Sequence, residues 1–297
     1  MRHIPRTKLK DFFLFIALKS KGKHVTVIGA SFIGMEVASY LSDKAESVTV
    51  VGNSDIPFNA VLGPEIGSYI KQLHTNKNVK FAMGTQPTSF VTNAEGDVLE
   101  KVLLENGEEI KTDIAVLGIG VYPSTEYIKD ENVHKDSRGY VLVDNCMKTN
   151  VDNIFAVGDI ASFPLDLPSF EGVRQLNIGH WQLANAHGKC AALNIATTDK
   201  HPLKTVPFFW TVQFGKSLRY SGCVPDGYDE ILYDGNVQDG KFVAFYIKND
   251  IVQAVATLMR DPVAADFANL LLDGKCLRAD EIKEDKWRAK YSTAAKI

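Results

Sequence analysis

The sequence predicts an α/β chain: a doubly wound parallel sheet, a second and partial α/β segment, and a C-terminal α+β domain built on a β-meander. Three observations predict it. Residues 24–82 alternate short β-branched runs with stretches of helical spacing, a β-α-β-α-β order that right-handed crossovers close into one parallel sheet. Glycine and proline interrupt the chain over residues 118–123 and again at Pro202 and Pro207. Past Pro207 the helical spacing gives way to four strand-like runs and a final helix. The expected parts are a remnant or linker over 1–23, the doubly wound domain over 24–120, the partial segment over 121–202 and the C-terminal domain over 203–297.

Each element follows from local pattern. Residues 24–29 are short, β-branched and closed by glycine, as a buried parallel strand is. Residues 32–43 read as a helix in which Gly34 and Ala38, four apart, make a small face that sits close to a sheet. Residues 48–51 form a second buried strand. Pro64, after Gly63, opens another helix with Ile66, Tyr69, Ile70 and Leu73 at helical spacing. Residues 79–82 are a third strand. Residues 89–93 and 98–104 read as antiparallel strands about Glu95-Gly96-Asp97, and Asn106-Gly107 signals a further hairpin. Residues 114–117 return to a buried strand. Residues 140–143 and 154–157 add two more, the second ending in Gly158-Asp159, and residues 179–194 form a helix rich in small residues. The C-terminal strands are 219–221, 230–233, 241–247 and 251–258. The last helix has Asp261 as N-cap, Pro262 at its first position and Gly274 just past its end.

Composition removes several function classes. Apolar residues at 45%, charged residues at 23% and a net charge of -3 fit a globular protein, without the basic field of a nucleic-acid binder or a disordered acidic tail. Cys146, Cys190, Cys223 and Cys276 lie far apart, so there is no CxxC redox pair and no zinc knuckle. Reduced thiols in a reducing compartment, cytoplasmic or mitochondrial, are the expectation. His180 and His187 lie on one predicted helix with no third ligand nearby in sequence, so no metal site is expected. No apolar run approaches the ~20 residues of a spanning helix. The block 12–18, preceded by Lys8 and Lys10, reads either as a core helix or truncation scar or as a weak targeting segment.

The chemistry begins at Gly29-Ala30-Ser31-Phe32-Ile33-Gly34, between a strand and a helix. A dinucleotide site has G-x-G-x-x-G there: the first glycine turns the chain, the middle one admits the pyrophosphate, the last lets the helix pack on the strand. Here Ser31 holds the middle place and can itself donate to phosphate, while the helix N-terminus supplies aligned N–H groups. An ordinary tight strand-helix turn would look similar. The second strand ends in Gly52-Asn53-Ser54-Asp55, with neither the usual acidic residue nor an arginine in place. NADH versus NADPH therefore stays open, inclining to NADH because no Arg or Lys lies between residues 48 and 70.

Residues 149–159, from Thr149 to Gly158-Asp159, resemble the second FAD motif of the pyridine nucleotide–disulfide reductase superfamily over eleven positions. The resemblance implies that Asp159 accepts a hydrogen bond from the flavin's ribityl chain. Residues 112–123, with Gly118 and Gly120, resemble the segment where that family's NAD domain returns to its FAD domain. Glu36 sits where the family has a helix glutamate near the nicotinamide, often paired with a lysine beside the flavin. Pro207-Phe208-Phe209-Trp210-Thr211 is similar to a segment of ferredoxin-reductase-like and apoptosis-inducing-factor-like enzymes in which the tryptophan lies near the flavin. Without those neighbours Trp210 would read as a core aromatic. Asn177-Ile178-Gly179-His180-Trp181-Gln182 narrows the resemblance to the Rieske-bearing branch of the apoptosis-inducing-factor family.

This resemblance runs from about Gly22 to the C-terminus and implies a partial FAD-binding domain over 121–202. It also implies an N-terminal truncation. Only 28 residues precede Gly29, fewer than the ~30 a first βαβ unit needs, and no Cys-x-His with a partner Cys-x-x-His is present. The expected sites are cofactor-binding Gly29, Ser31, Phe32, Ile33, Gly34, Glu36, Gly118, Gly120, Gly158, Asp159, His180, Trp181 and Trp210, with Glu36 and Trp210 as catalytic candidates. The implied activity is hydride transfer from NAD(P)H to FAD, then electron transfer to an iron–sulfur or other acceptor protein, with no general acid or base required. The implied C-terminal domain is one wall of the flavin site and a homodimer surface. The alternative is a nucleotide-binding or interaction module without turnover. Residues 12–18 are expected to cover the edge that a missing half would leave.

Overall fold

The computed structural model describes residues 18–291; the block 12–18 lies, apart from Leu18, outside them. The described residues form two compact units. One runs to Gly120 and includes Thr211–Lys216; the other comprises Val121–Trp210 and Ser217 onward.

In the first unit, strands β1 (His24–Ile28), β2 (Ser47–Gly52), β3 (Val79–Met83) and β7 (Ile114–Leu117) form one parallel sheet in the order β3-β2-β1-β7. Val25, Val27, Val48 and Val50 are fully buried, because β1 and β2 are the inner strands of the parallel sheet and are covered on both faces. The crossovers are α1 (Phe32–Leu41), which ends two residues before its predicted end, and a short α2 (Asn59–Leu62) followed by α3 (Pro64–Thr75) with proline in its first turn. Gly34, Met35, Ala38 and Leu41 form the buried stripe of α1, as the small face requires. Strands β4 (Pro87–Thr92), β5 (Leu99–Leu104) and β6 (Glu109–Lys111) make the expected antiparallel insertion. The strand order reverses at β1, with β2 on one side and β7 on the other. In open α/β sheets that switch point is where ligands bind, beyond the carboxyl ends of the strands.

The second unit has a small sheet, β10-β9-β8, from β8 (Val141–Leu142), β9 (Ala161–Leu165) and β10 (Arg174–Leu176). It also has helix α4 (Trp181–Ala196) and a five-stranded sheet. That sheet orders β11 (Phe208–Gln213), β12 (Lys216–Gly222), β15 (Ile251–Leu258), β14 (Lys241–Lys248) and β13 (Glu230–Asn236). Helices α5 (Val263–Leu272), α6 (Ala279–Lys283) and α7 (Trp287–Tyr291) follow. One buried cluster joins Phe163 and Leu183 to Phe245, Val255, Phe267 and Trp287, so the segments before Pro202 and after Pro207 share a core.

Four expectations need correction. Residues 114–117 form β7, but at the sheet edge they are only half-buried and Leu117 is 56% exposed, not the buried strand expected. Residues 154–157 are not a strand: Phe155 makes one bridge to Lys148, and no strand among the described residues pairs with its other side, so Ile154 and Val157 stay exposed. The C-terminal sheet is not a simple meander. Strands β14 and β15 are buried along nearly their whole length and take the centre, whereas half-exposed β13 takes an edge and β12 pairs with β15. Asp261 is not a helix cap: helix α5 starts at Val263, and the Asp261 carboxylate pairs with the Arg219 guanidinium at 2.7 Å.

Candidate functional site

The first unit carries a cleft of about 660 Å³ at its switch point. Gly29 and Gly118 line it, and Gly34 packs behind them without lining it. Gly29 ends β1 at φ 112°, and a Cβ there would stand 2.3 Å from the Gly118 carbonyl oxygen. Gly34, in the first turn of α1, would put a Cβ 1.9 Å from the Gly29 carbonyl oxygen. A Cβ on Gly118 would reach 3.3 Å from the Gly34 nitrogen. Three backbones thus meet where side chains do not fit, which brings the N-terminus of α1 against the strand ends. The Gly29 N–H donates to the Val51 carbonyl at 2.8 Å and the Gly118 N–H to the Ile28 carbonyl at 2.7 Å, so the sheet ladder runs to the lip of the cleft.

Ser31 explains the departure from three glycines. Its φ of -111° is extended, a conformation open to any L-residue, and it serves as N-cap of α1 with its own carbonyl accepting from the Met35 N–H at 2.9 Å. Its side chain makes no capping bond. Gly29, Ser31, Gly118 and Gly120 all line the cleft, as do Gly52, Asn53 and Ser54 at the end of β2. Asp55 instead lies against Gly84. Phe32 and Ile33 do not line the cleft: the Phe32 ring packs on Phe58 at 4.7 Å and Ile33 is exposed. Glu36 is exposed on α1, outside the lining. Phe58, which sequence reasoning did not single out, closes one wall; it holds φ 58° and its N–H donates to the Ala30 carbonyl at 3.2 Å. A phenylalanine in left-handed backbone carries no local signal, so only the long-range contact reveals it.

The second unit holds the other predicted residues. Gly158-Asp159 form a single 3-10 turn, with Gly158 at φ 73°. Asn177 Nδ2 donates to the Asp159 carbonyl at 3.0 Å and to the Ala161 carbonyl at 2.7 Å. On the other flank the Gly158 N–H donates to His187 Nδ1 at 3.2 Å. The Asp159 carboxylate itself is exposed and makes no hydrogen bond among the described residues. A Cβ on Gly179 would lie 3.8 Å from it, so the approach is open on that side.

His180 is the N-cap of α4, where it stands beside Trp181 with ring centroids 6.0 Å apart. Burial pulls its pKa below the ordinary 6.5, against the opposing pull of the Asp159 carboxylate. Trp181 and Trp210 meet edge to face at 6.1 Å and are 53% and 44% exposed. Asp159, His180, Trp181 and Trp210, predicted from distant segments, all belong to the second unit, where Asp159 acts on His180 and the rings of His180, Trp181 and Trp210 follow one another. The exposed pair forms part of an apolar patch on the surface of the second unit. The hydrogen bonds by which Asn177 and His187 hold this turn carry no local sequence signal.

Comparison with known proteins agrees with this geometry. Residues 10–188 match the family model described as pyridine nucleotide-disulphide oxidoreductase, and residues 208–290 match a reductase C-terminal model. Apoptosis-inducing factor 3 of Mus musculus is 39% identical over 264 residues, 89% of this chain and 42% of that protein. Rhodocoxin reductase of Rhodococcus erythropolis is 32% identical, covering 74% of this chain and 49% of its own. The structure of a covalent putidaredoxin reductase-putidaredoxin complex superposes with a TM-score of 0.81 at 26% identity, over 89% of this chain and 62% of that one. The chain therefore spans about half or less of the length of these curated relatives. With one family model covering more than half of its residues and Gly29, Gly34 and Gly118 packed together at its switch point, the chain belongs to the pyridine nucleotide-disulphide oxidoreductase family.

Proposed function

We propose that the chain is an oxidoreductase that takes NAD(P)H in the switch-point cleft and FAD on the Asp159–Trp210 face, and passes electrons to an acceptor protein. The observation that carries the reading is the close packing of Gly29, Gly34 and Gly118, whose backbones leave no room for a Cβ and hold the start of α1 against the strand ends beside the cleft, where its N–H groups can meet an anion. Two nicotinamide nucleotides fit such a cleft. Asn53 and Ser54 at the strand end, with no Arg or Lys among the lining residues, favour the one without a 2′-phosphate, NADH.

On the second unit, the Asp159 carboxylate is free to accept from a sugar hydroxyl, which is the flavin-side requirement the family resemblance sets. Trp181 and Trp210 offer rings for a flat aromatic ligand to pack against. The flavin, when bound, supplies the step from two-electron to one-electron chemistry. The residues of this chain bind, orient and shield; none is asked to move a proton. The likeness to a reductase captured with putidaredoxin supports an acceptor that is itself a protein.

The lining of the nucleotide cleft belongs to the first unit alone, which favours a second reading, a nucleotide-binding module without turnover. Separate equilibrium titrations with NADH and FAD divide the two. Saturable binding of both, with Asp159→Asn weakening FAD alone, supports the oxidoreductase. Binding of NADH without FAD leaves only the module.

A further inference from the structure

His187 lies behind the Asp159 turn and has no part in the chemistry just described. It is 1% exposed, on the sixth residue step of α4 after Trp181. The geometry around it fixes its chemical form. Nδ1 accepts from the Gly158 N–H, so Nδ1 carries a lone pair and the ring hydrogen sits on Nε2. Nε2 is buried without a hydrogen-bond partner among the described residues. A core position that needed only volume would be filled better by leucine or phenylalanine, which leave no donor unpaired. The ring is also locked in place: it meets Phe163 at 4.5 Å and 70°. Besides burial, Asp159 is the one charged group acting on it.

The turn it holds has few other anchors. Gly158 sits in left-handed backbone, and Asn177 ties down only the carbonyl side of Asp159. We infer that His187 is a positioning residue: Nδ1 anchors the Gly158 N–H and so aims the Asp159 carboxylate at a sugar hydroxyl of the flavin nucleotide. This rests on the proposed role of Asp159, and the test separates the two.

FAD dissociation constants are measured on the full chain for wild type, Asp159→Asn, His187→Asn and His187→Leu, beside ring ¹⁵N spectra of the wild type. Asparagine's Oδ1 is a δ atom like Nδ1 and can accept from Gly158; leucine keeps the volume and removes the acceptor. The expected result is a wild-type ring protonated at Nε2 only and His187→Leu weakened about threefold to tenfold, the net loss of one hydrogen bond. His187→Asn should stay close to wild type. Equal weakening in both His187 variants, or none in His187→Leu while Asp159→Asn is weakened, overturns the positioning role. An unchanged Asp159→Asn overturns the reading of Asp159 itself and the inference with it. A proton on Nδ1 overturns the inference whether or not flavin binds.

Discussion

Replacing Gly34 by alanine is the sharpest perturbation of the nucleotide cleft. The new Cβ would start 1.9 Å from the Gly29 carbonyl oxygen, where real contacts essentially never fall below 3.0 Å. The obstacle is backbone, tied into the β1–β2 ladder through Gly29 N–H, so no side chain can turn aside. The start of α1 must retreat by about 1 Å or more, and overpacking of this kind costs about 1–3 kcal/mol. The upper end applies because both partners are main chain. For a unit of this size about 3 kcal/mol lowers the melting temperature by roughly 6–12 °C. The same retreat displaces the α1 N–H groups proposed to hold the pyrophosphate, and losing one charge-assisted hydrogen bond should weaken NADH by about tenfold or more.

Gly188→Ala is the internal control. Nothing lies within 4 Å of its Cβ position, and it sits inside α4 in ordinary helical backbone, so alanine there should stabilise by about 0.5–1 kcal/mol. Scanning calorimetry and NADH titration read both variants. A Gly34→Ala protein that melts with wild type and binds NADH equally well would refute the packing argument.

Three further outcomes follow from the same structure. Ser31→Gly, which restores the usual fingerprint, should change stability by only a few tenths of a kcal/mol and NADH affinity little, because Ser31 already holds extended backbone and makes no side-chain cap; a large gain in affinity on titration would contradict this. His187 is held near a pKa of about 4 by burial, below the ordinary 6.5, so the unfolded chain binds the extra proton first. Its contribution is therefore complete above about 6.5 and is lost as the pH falls toward 4, up to about 3 kcal/mol; urea melts at pH 7 and pH 4.5 should show less acid sensitivity in His187→Leu than in wild type. Trp287 is 2% exposed and packs edge to face on Phe245 at 5.1 Å, so Trp287→Ala should cost about 3–5 kcal/mol, whereas truncating exposed Trp181 should barely move the melting curve.

Much of the first unit was legible because its signals are local. The strand-turn-helix of Gly29–Gly34 and the hairpin at Asn106-Gly107 are each set by residues a few positions apart, and β7 by one short apolar run. Phe58 and the Gly52–Ala30 approach were not legible, since each depends on contacts that local pattern does not encode. In the second unit, residues 154–157 have strand composition but only one bridging partner, and composition does not count partners. Residues 208–213 were read for their tryptophan and not for the strand they form. His180 and His187 lie on one helix without a third ligand nearby, which speaks against a metal but says nothing of Gly158, 29 positions from His187; the structure caps the helix with His180 and buries His187 against that glycine. The convergence of Asp159, Trp181 and Trp210 came from family resemblance, since no periodicity joins them.

The visible absorption spectrum of the purified chain, loaded with FAD, freed of excess and then exposed to NADH without oxygen, tests the central claim most directly. A retained flavin band that bleaches on adding NADH is expected if the chain takes NADH and FAD as proposed. A protein that leaves the column colourless, or a bound flavin that NADH does not bleach, would contradict it.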